Sequence, residues 1–189
     1  MPRFKHPELV RFLRTVDQLE ILPRTGYFFA GIRQPESIAA HSYGVALIAM
    51  LLADRIKSRV NIERVLRLAI LHDTAESLLT DIPNSSFAYM DQAHKEQAEV
   101  KAAKELFGGL TCDYIEFWKE FEEGKTLEAR LVRAADKLQL AVKIIGYEQS
   151  GQGNFDRFWQ NMRHQCSDNF RGIELAKELF DDLLCLRDS

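Results

Sequence analysis

The sequence has few cysteines, and those it has are poorly placed for a shared structural role. Its 189 residues include only Cys112, Cys166 and Cys185, an odd number with wide spacing and no CxxC pair. This pattern disfavours both a disulfide framework and a structural zinc site built from thiolates. A chain of this length can bury an adequate core without such cross-links.

The sequence also lacks a strong charge of one sign and lacks long apolar runs. Lys and Arg total 25 against 28 Asp and Glu, a net charge of -3, so nothing marks the molecule as a binder of nucleic acid polymers. No apolar run is long enough to span a bilayer, and the N-terminal stretch has no apolar signal core. With 46% hydrophobic and 28% charged residues, we expect one globular domain in the cytoplasm, without a membrane partner.

Glycine and proline are scarce, at 10 and 5 residues, and the apolar residues recur mostly at helical spacing. No segment alternates apolar and polar residues as a strand does, so the predicted fold class is all-α. A breaker-rich loop, 22–37, is expected between the first two helices. An apolar stripe at about 9–19 predicts the first helix. Further helices are predicted at about 37–57, 61–79, 92–107, 114–123, 127–147, 155–165 and 173–186.

Polar residues interrupt the apolar face of the third predicted helix. His72 and Glu76 follow the apolar stripe of Val65, Leu68 and Ala69 at helical spacing, and Asp73 flanks the same stripe. Burial of a lone glutamate costs several kcal/mol or shifts its pKa strongly. A buried cation or a water network would remove that difficulty.

Two other helices repeat the anomaly. His41 lies at the N-terminal end of a stripe that continues through Val45, Ile48 and Leu52. Asp136 lies between apolar residues at i−4 and i+4 on the helix that begins near residue 127. Two imidazoles and two carboxylates on three helices suit one divalent transition metal, with Mg²⁺ also allowed.

Each of these residues also has an ordinary structural interpretation. A lone histidine on an apolar face is more often a hydrogen-bonded core residue than a ligand, and Asp136 alone could pair with Arg133 or Lys137. Only the combination is specific. The remaining histidines, His6, His94 and His164, lie in polar segments and are interpreted as surface or packing residues.

The pattern His41…His72-Asp73…Asp136 resembles the H…HD…D signature of the HD-domain superfamily. The segments RTGYFFAGIRQPESIAAHS, LAILHDTAESLLTDIP and ARLVRAADKLQLAVKIIGYE resemble the branch that contains bacterial 5′-deoxynucleotidases and their archaeal and eukaryotic relatives. The resemblance covers about residues 12–158. Its most specific part is HDxxExxxxD, formed here by His72, Asp73, Glu76 and Asp81.

The resemblance implies a single helical HD domain over 1–189, with its metal-site core at about 37–147. It implies one divalent ion, Co²⁺ or Mn²⁺ with Mg²⁺, Zn²⁺ or Ni²⁺ as further options, held by the four residues of the signature. Glu76 matches the acid beside the attacking water, and Asp81 matches a second acid near the substrate. The implied activity is removal of phosphate from deoxyribonucleoside 5′-monophosphates, and the implied assembly is a homodimer.

The sequence departs from the bacterial enzymes at their Arg-Trp pair, about fifteen residues before the first metal histidine. Arg24-Thr-Gly-Tyr27 stands there instead, so Arg24 is expected to supply the charge and Tyr27 the aromatic face. Arg33 and Lys95 are further candidates for phosphate contact. Two alternatives stay open: an HD phosphohydrolase acting on a nucleoside triphosphate or a signalling nucleotide, and a non-catalytic, metal-stabilised interaction protein.

Overall fold

The computed structural model describes residues 5–56, 59–83, 86, 89–110 and 113–189. Within them the chain forms ten α-helices and no strand, which confirms the predicted all-α fold. An isolated antiparallel bridge joins Pro23 to Ser37. The helices are α1 (Pro7–Val16), α2 (Ile38–Arg55), α3 (Ile62–Leu71), α4 (Glu76–Leu79), α5 (Gln92–Phe107), α6 (Tyr114–Glu123), α7 (Leu127–Gln149), α8 (Asp156–His164), α9 (Cys166–Asn169) and α10 (Glu174–Asp188).

Side-chain caps begin the three helices that form the centre of the fold. Ser37 accepts from the backbone N–H of Ala40 at the start of α2, at 3.2 Å. Asn61 and Thr126 cap α3 and α7 in the same way. Each cap satisfies a backbone donor that the first helical turn leaves without a partner. The sequence therefore fixes where α2, α3 and α7 begin.

The main hydrophobic core lies where α2, α3 and α7 pack together. Val45, Leu68 and Leu131, one from each helix, are fully buried in it. A second cluster joins α5 and α6 to the end of α3 through Phe107, Trp118 and Leu71. The helix α2 is long and apolar enough to cross a membrane by length and composition alone, but the core helix of a soluble protein passes the same test.

The predicted third helix is interrupted, which corrects the expected helix over 61–79. α3 ends at Leu71, residues 72–75 form a turn, and the short helix α4 follows. The Thr74 hydroxyl donates to the Leu71 carbonyl at 2.7 Å. A side-chain donor thus competes with the backbone N–H groups for this carbonyl in the turn. His72 and Glu76 therefore belong to different elements rather than to one continuous helical face.

The predicted loop 22–37 also contains a short 3₁₀-helix, Thr25–Ala30, which ends at Gly31 with a positive φ of 90°. Its Tyr27 ring is 2% exposed and packs against Tyr147, Phe155 and Phe158. The segment is thus anchored in the core, which gives the neighbouring Arg24 a fixed position.

Candidate metal centre

Two histidine rings meet in the interior with their Nε2 atoms facing each other. His41 lies in the first turn of α2, and His72 follows the last residue of α3. Their Nε2 atoms are 3.4 Å apart, and both side chains are 1% exposed. The packing of α2 on α3 produces this approach.

Two carboxylates lie close to these two Nε2 atoms. The Asp73 Oδ2 atom lies 3.2 Å from Nε2 of His72 and 3.5 Å from Nε2 of His41. The Asp136 Oδ1 atom, from the middle of α7, lies 3.2 Å from Nε2 of His41. Ligand atoms of His41, His72 and Asp73 all lie within 4.8 Å of one another, and Asp136 adjoins this set through His41.

These donors fit a divalent cation in both spacing and type. Neighbouring donors around an ion with bonds of about 2.1 Å lie about 3.0 to 3.4 Å apart, close to the separations found here. Two imidazoles with two carboxylates suit a transition metal better than Ca²⁺, which prefers oxygen ligands. The set therefore fits one divalent ion between α2, α7 and the turn after α3.

The far side of each imidazole already has a partner. His72 Nδ1 lies 2.8 Å from the Ala69 carbonyl, which can only accept, so Nδ1 carries the proton. His41 Nδ1 lies 2.6 Å from Oε1 of Gln139. Both rings can then direct an Nε2 lone pair at the centre.

The charges around the site favour ionised carboxylates. Burial raises the pKa of Asp73, but the charge of Arg24 and the charges that His72 and His41 carry when protonated outweigh burial and hold that pKa well below its usual range. Burial also opposes ionisation of Asp136, but Lys137, with Nζ 2.8 Å from its Oδ2, and His41 lower its pKa. Both acids are therefore in the form that binds a cation.

Glu76 lies beside this cluster with an unsatisfied oxygen. Its Oε2 atom is buried and has no hydrogen-bond partner among the residues that the structure describes. Burial and the negative charge of Asp73 raise the pKa of Glu76 well above its usual value. A buried acceptor without a partner is costly, so this oxygen suits a water or a bound ligand.

Three further predicted residues lie at or near the same site. Arg24 Nη1 is 2.9 Å from Asp73 Oδ2, and its side chain is 19% exposed. Asp81 accepts from the Thr25 hydroxyl through its Oδ2 at 3.2 Å, and its charge acts on both Arg24 and Glu76. Lys95, on α5, lowers the pKa of Glu76 through its charge and pairs with Glu99 at 3.3 Å.

Tyr27 and Arg33, which were also predicted to contact the substrate, do not line the histidine and aspartate cluster. The Tyr27 ring is enclosed in the core and its hydroxyl lies 3.3 Å from Glu36 Oε1, so its face is not open to a substrate. This position argues against the aromatic role expected for Tyr27. Arg33 is exposed, and no hydrogen bond or ion pair joins it to a described residue of the site.

Sequence reasoning missed several polar residues around the site. Glu36 and Gln139 are buried and lie behind His41, away from the cation position. Glu122 lies close enough to Asp73 for their charges to interact. Gln139 follows Asp136 by three residues on α7. Its position as a polar residue within the apolar run LQLAV was the only sequence signal for its role beside His41.

The fold and the site together define a helical domain organised around a histidine and aspartate cluster. A family model described as the HD domain matches residues 16–176, most of the chain. The chain therefore belongs to the HD domain family.

Named relatives share much of the chain. It is 35% identical to the 5′-deoxynucleotidase YBR242W of Saccharomyces cerevisiae, over 88% of this chain and 73% of the relative. It is 34% identical to the 5′-deoxynucleotidase HDDC2 of Xenopus laevis, over 75% of this chain and 70% of that one. A solved structure of a conserved hypothetical protein from Pyrococcus furiosus superposes with a TM-score of 0.76, at 34% identity, covering 91% of this chain and 99% of that chain.

Proposed function

We propose that this chain is a metal-dependent 5′-deoxynucleotidase that hydrolyses deoxyribonucleoside 5′-monophosphates to a deoxyribonucleoside and phosphate. One observation carries the proposal: the histidine and aspartate cluster lies beside an arginine and an unpartnered buried glutamate oxygen. The relatives named 5′-deoxynucleotidase support the substrate class.

His41, His72, Asp73 and Asp136 would hold the ion in this proposal. A divalent cation bound there lowers the pKa of a water ligand and polarises a phosphoryl oxygen. The mixed nitrogen and oxygen donors suit a divalent transition metal and do not select one ion. The resemblance to the HD-domain nucleotidases implies Co²⁺ or Mn²⁺, with Mg²⁺, Zn²⁺ or Ni²⁺ as further options.

The protein side chains divide the remaining work. Arg24 neutralises charge on the phosphate, which is the main protein contribution to phosphoryl transfer. Glu76 orients the attacking water and takes its proton as the new bond from oxygen to phosphorus forms. Asp81, held by Thr25, would contact the sugar or assist the departing 5′ oxygen, which receives the proton taken from the water as its bond to phosphorus breaks. Lys95 adds positive charge near Glu76.

A nucleotide panel tests the proposal. Chelator-stripped protein would be reloaded with Co²⁺, Mn²⁺, Mg²⁺, Zn²⁺, Ni²⁺ or Ca²⁺ and assayed for phosphate release. The panel would pair deoxyribonucleoside with ribonucleoside monophosphates and include nucleoside triphosphates and cyclic nucleotides. Fastest release from deoxyribonucleoside monophosphates with Co²⁺ or Mn²⁺ supports the proposal. Preference for a triphosphate or a cyclic nucleotide would overturn the substrate, and binding of metal without hydrolysis would overturn the activity.

The proposal includes a cytoplasmic homodimer. An apolar groove of about 470 Å³ runs between α2, α7 and α10, with Leu51, Val142 and Leu186 all 42–52% exposed along it. Arg55 and Asp182 also line it, and neither forms an ion pair with another described residue. A second copy related by a twofold axis could pair these opposite charges across an apolar contact, which makes it the best occupant.

The oligomeric state can be measured directly by light scattering after size-exclusion chromatography. Val142→Asp should convert a dimer into a folded monomer because it places a charge in the contact. Ile70→Asp, at an equally exposed apolar residue of α3 outside the groove, is the matched control and should leave the mass unchanged. A parent protein that is monomeric at micromolar concentration would refute the dimer. Cell fractionation tests the location.

A further inference from the structure

A chain of buried polar groups runs from His41 away from the cation position. His41 is 0% exposed, Gln139 7% and Glu36 9%. His41 Nδ1 lies 2.6 Å from Gln139 Oε1, and Gln139 Nε2 lies 3.0 Å and 3.2 Å from the two oxygens of Glu36. Buried polar groups are costly unless each is paired, and these three satisfy one another in series.

Glu36 decides which way the Gln139 amide points. Its carboxylate accepts hydrogen bonds, and it is itself held by the Tyr27 hydroxyl at 3.3 Å and by Lys143 Nζ at 3.4 Å. Its backbone N–H donates to the Tyr147 hydroxyl at 2.9 Å. The NH₂ group of Gln139 must face this acceptor, so the amide oxygen must face His41.

The orientation of the amide in turn decides where the His41 proton resides. Nε2 of His41 lies 3.2 Å from Asp136 Oδ1 and 3.5 Å from Asp73 Oδ2, two acceptors that would attract a proton to Nε2. A proton there would occupy the lone pair that a cation needs. The Gln139 oxygen at Nδ1 opposes this pull, because it can only accept.

The two histidines are therefore oriented by different means. His72 donates from Nδ1 to a carbonyl of its own neighbourhood, Ala69. His41 depends on side chains about a hundred residues apart in sequence. Gly44 leaves the necessary space on α2, since a Cβ there would lie 2.9 Å from Cγ of Gln139.

We propose that Glu36 and Gln139 are positioning residues, which hold His41 with its proton on Nδ1 and its Nε2 lone pair directed at the cation. This inference rests on the metal site of the proposed function and not on its substrate. Outer partners of metal-binding histidines fix the tautomer and raise the basicity of the ligand nitrogen.

Two variants test this relay, the chain of hydrogen bonds from Glu36 through Gln139 to His41, in different ways. Gln139→Met keeps the volume of the side chain and removes the acceptor for His41. Glu36→Gln keeps the shape and removes the requirement that the Gln139 NH₂ face it, so the amide can turn over. Glu148→Gln is the matched control, because Glu148 also holds a buried partner, Trp159, and the half-buried Arg187, but has no hydrogen bond to His41.

The first measurement is the imidazole tautomer in metal-free protein, by long-range ¹H–¹⁵N NMR. Burial lowers the pKa of His72, but the charges of Asp73 and Asp136 outweigh burial and raise it, so spectra are recorded at increasing pH until both rings are neutral. Parent protein and Glu148→Gln should show protonated Nδ1 on both histidines. Gln139→Met and Glu36→Gln should move the proton of His41 towards Nε2 and leave His72 unchanged. If Glu36 and Gln139 had only a structural role, their substitution would not shift the proton on His41 alone.

The second measurement is Co²⁺ and Mn²⁺ affinity by titration calorimetry. Both relay variants should bind about 10- to 100-fold more weakly, and Glu148→Gln should match the parent. An unchanged His41 tautomer with unchanged affinity in a folded relay variant would overturn the inference. If Gln139→Met does not fold, the smaller change Glu36→Gln decides the question. Tight metal binding by a parent protein that hydrolyses no nucleotide would refute the proposed function and leave this inference intact.

Discussion

Arg24 and Asp73, one of the four proposed metal ligands, form an ion pair, with Arg24 Nη1 2.9 Å from Asp73 Oδ2. That oxygen also lies 3.2 Å from Nε2 of His72, so it is positioned between a guanidinium and an imidazole. Arg24 thus compensates the buried charge of Asp73 in the metal-free protein. In the proposed function, a cation bound by Asp73 would take over this compensation and leave the guanidinium available for an anionic substrate.

Arg24→Met should therefore separate metal binding from substrate binding. Loss of the guanidinium removes a positive charge next to the cation position, so Co²⁺ affinity should be retained or rise a few-fold. The KM for a deoxynucleotide should rise at least about 10-fold, because a charged hydrogen bond contributes about 1.5–3 kcal/mol. Calorimetry and steady-state kinetics measure the two effects, with Arg33→Met as a control expected to resemble the parent. An unchanged KM would remove Arg24 from the substrate site.

Glu76→Gln should keep the metal and lose turnover. Glutamine preserves the volume and can still contact a water, but it cannot take the proton, and loss of a general base costs about 10²–10⁴ in rate. Metal content and nucleotide affinity should change far less. Turnover within a few-fold of the parent would exclude Glu76 as the base, while loss of metal together with turnover would make it a ligand.

Metal should stabilise the fold in proportion to its occupancy. The proposed ligands come from α2, from α7 and from the turn after α3, so an ion bound only by the native state joins separate elements. At 100 times its Kd, such an ion contributes about 2.7 kcal/mol. For a chain of this size, that corresponds to a rise in Tm of roughly 5 to 10 °C. Scanning calorimetry of stripped and reloaded protein should show the rise in the parent and in His94→Ala, but not in His72→Ala. Equal transitions with and without metal would argue against a shared site.

Glu122 should make the metal-free protein less stable at alkaline pH. Burial and the charge of Glu99 raise the pKa of Glu122 to about 7, against 4.5 ordinarily. An acid whose folded-state pKa is raised costs nothing below its unfolded value and destabilises progressively as the pH rises through about 7. Glu122→Gln should therefore increase Tm at pH 8 and leave it unchanged at pH 4.5. The gain should be small, about 2 °C or less, because Glu122 is an exposed residue and solvent screens its charge.

The neighbouring Glu123 supplies the control for this pH effect. It pairs with Lys125 at 3.0 Å, on the solvent side of the same helix end. Glu123→Gln should show the same difference in Tm between pH 4.5 and pH 8 as the parent. If both variants respond alike, the effect is one of net charge and not of the environment of Glu122.

Local signals predicted most helices well. The charged segment 92–107 and the helix 114–123 form as expected, and Ser37 caps α2. The continuous helix over 61–79 was wrong, because periodicity does not register the competition of the Thr74 hydroxyl for the Leu71 carbonyl. The aromatic role expected for Tyr27 followed from its place in sequence, but three core aromatic rings enclose it.

The sequence by itself determined the helical class and the residue types of the site. Hydrophobic periodicity is a local property. His41 and His72 stood out because they lie on apolar helical stripes, and Asp73 and Asp136 because they have apolar neighbours at helical spacing. Only the tertiary structure decided which atoms meet. The pairing of Arg24 with Asp73, the isolation of the Glu76 oxygen and the hydrogen bonds from Glu36 to His41 depend on how the segment before α2 and the turn after α3 pack against the helices. Such contacts join residues 30 to 100 positions apart, and no periodicity along one helix specifies them.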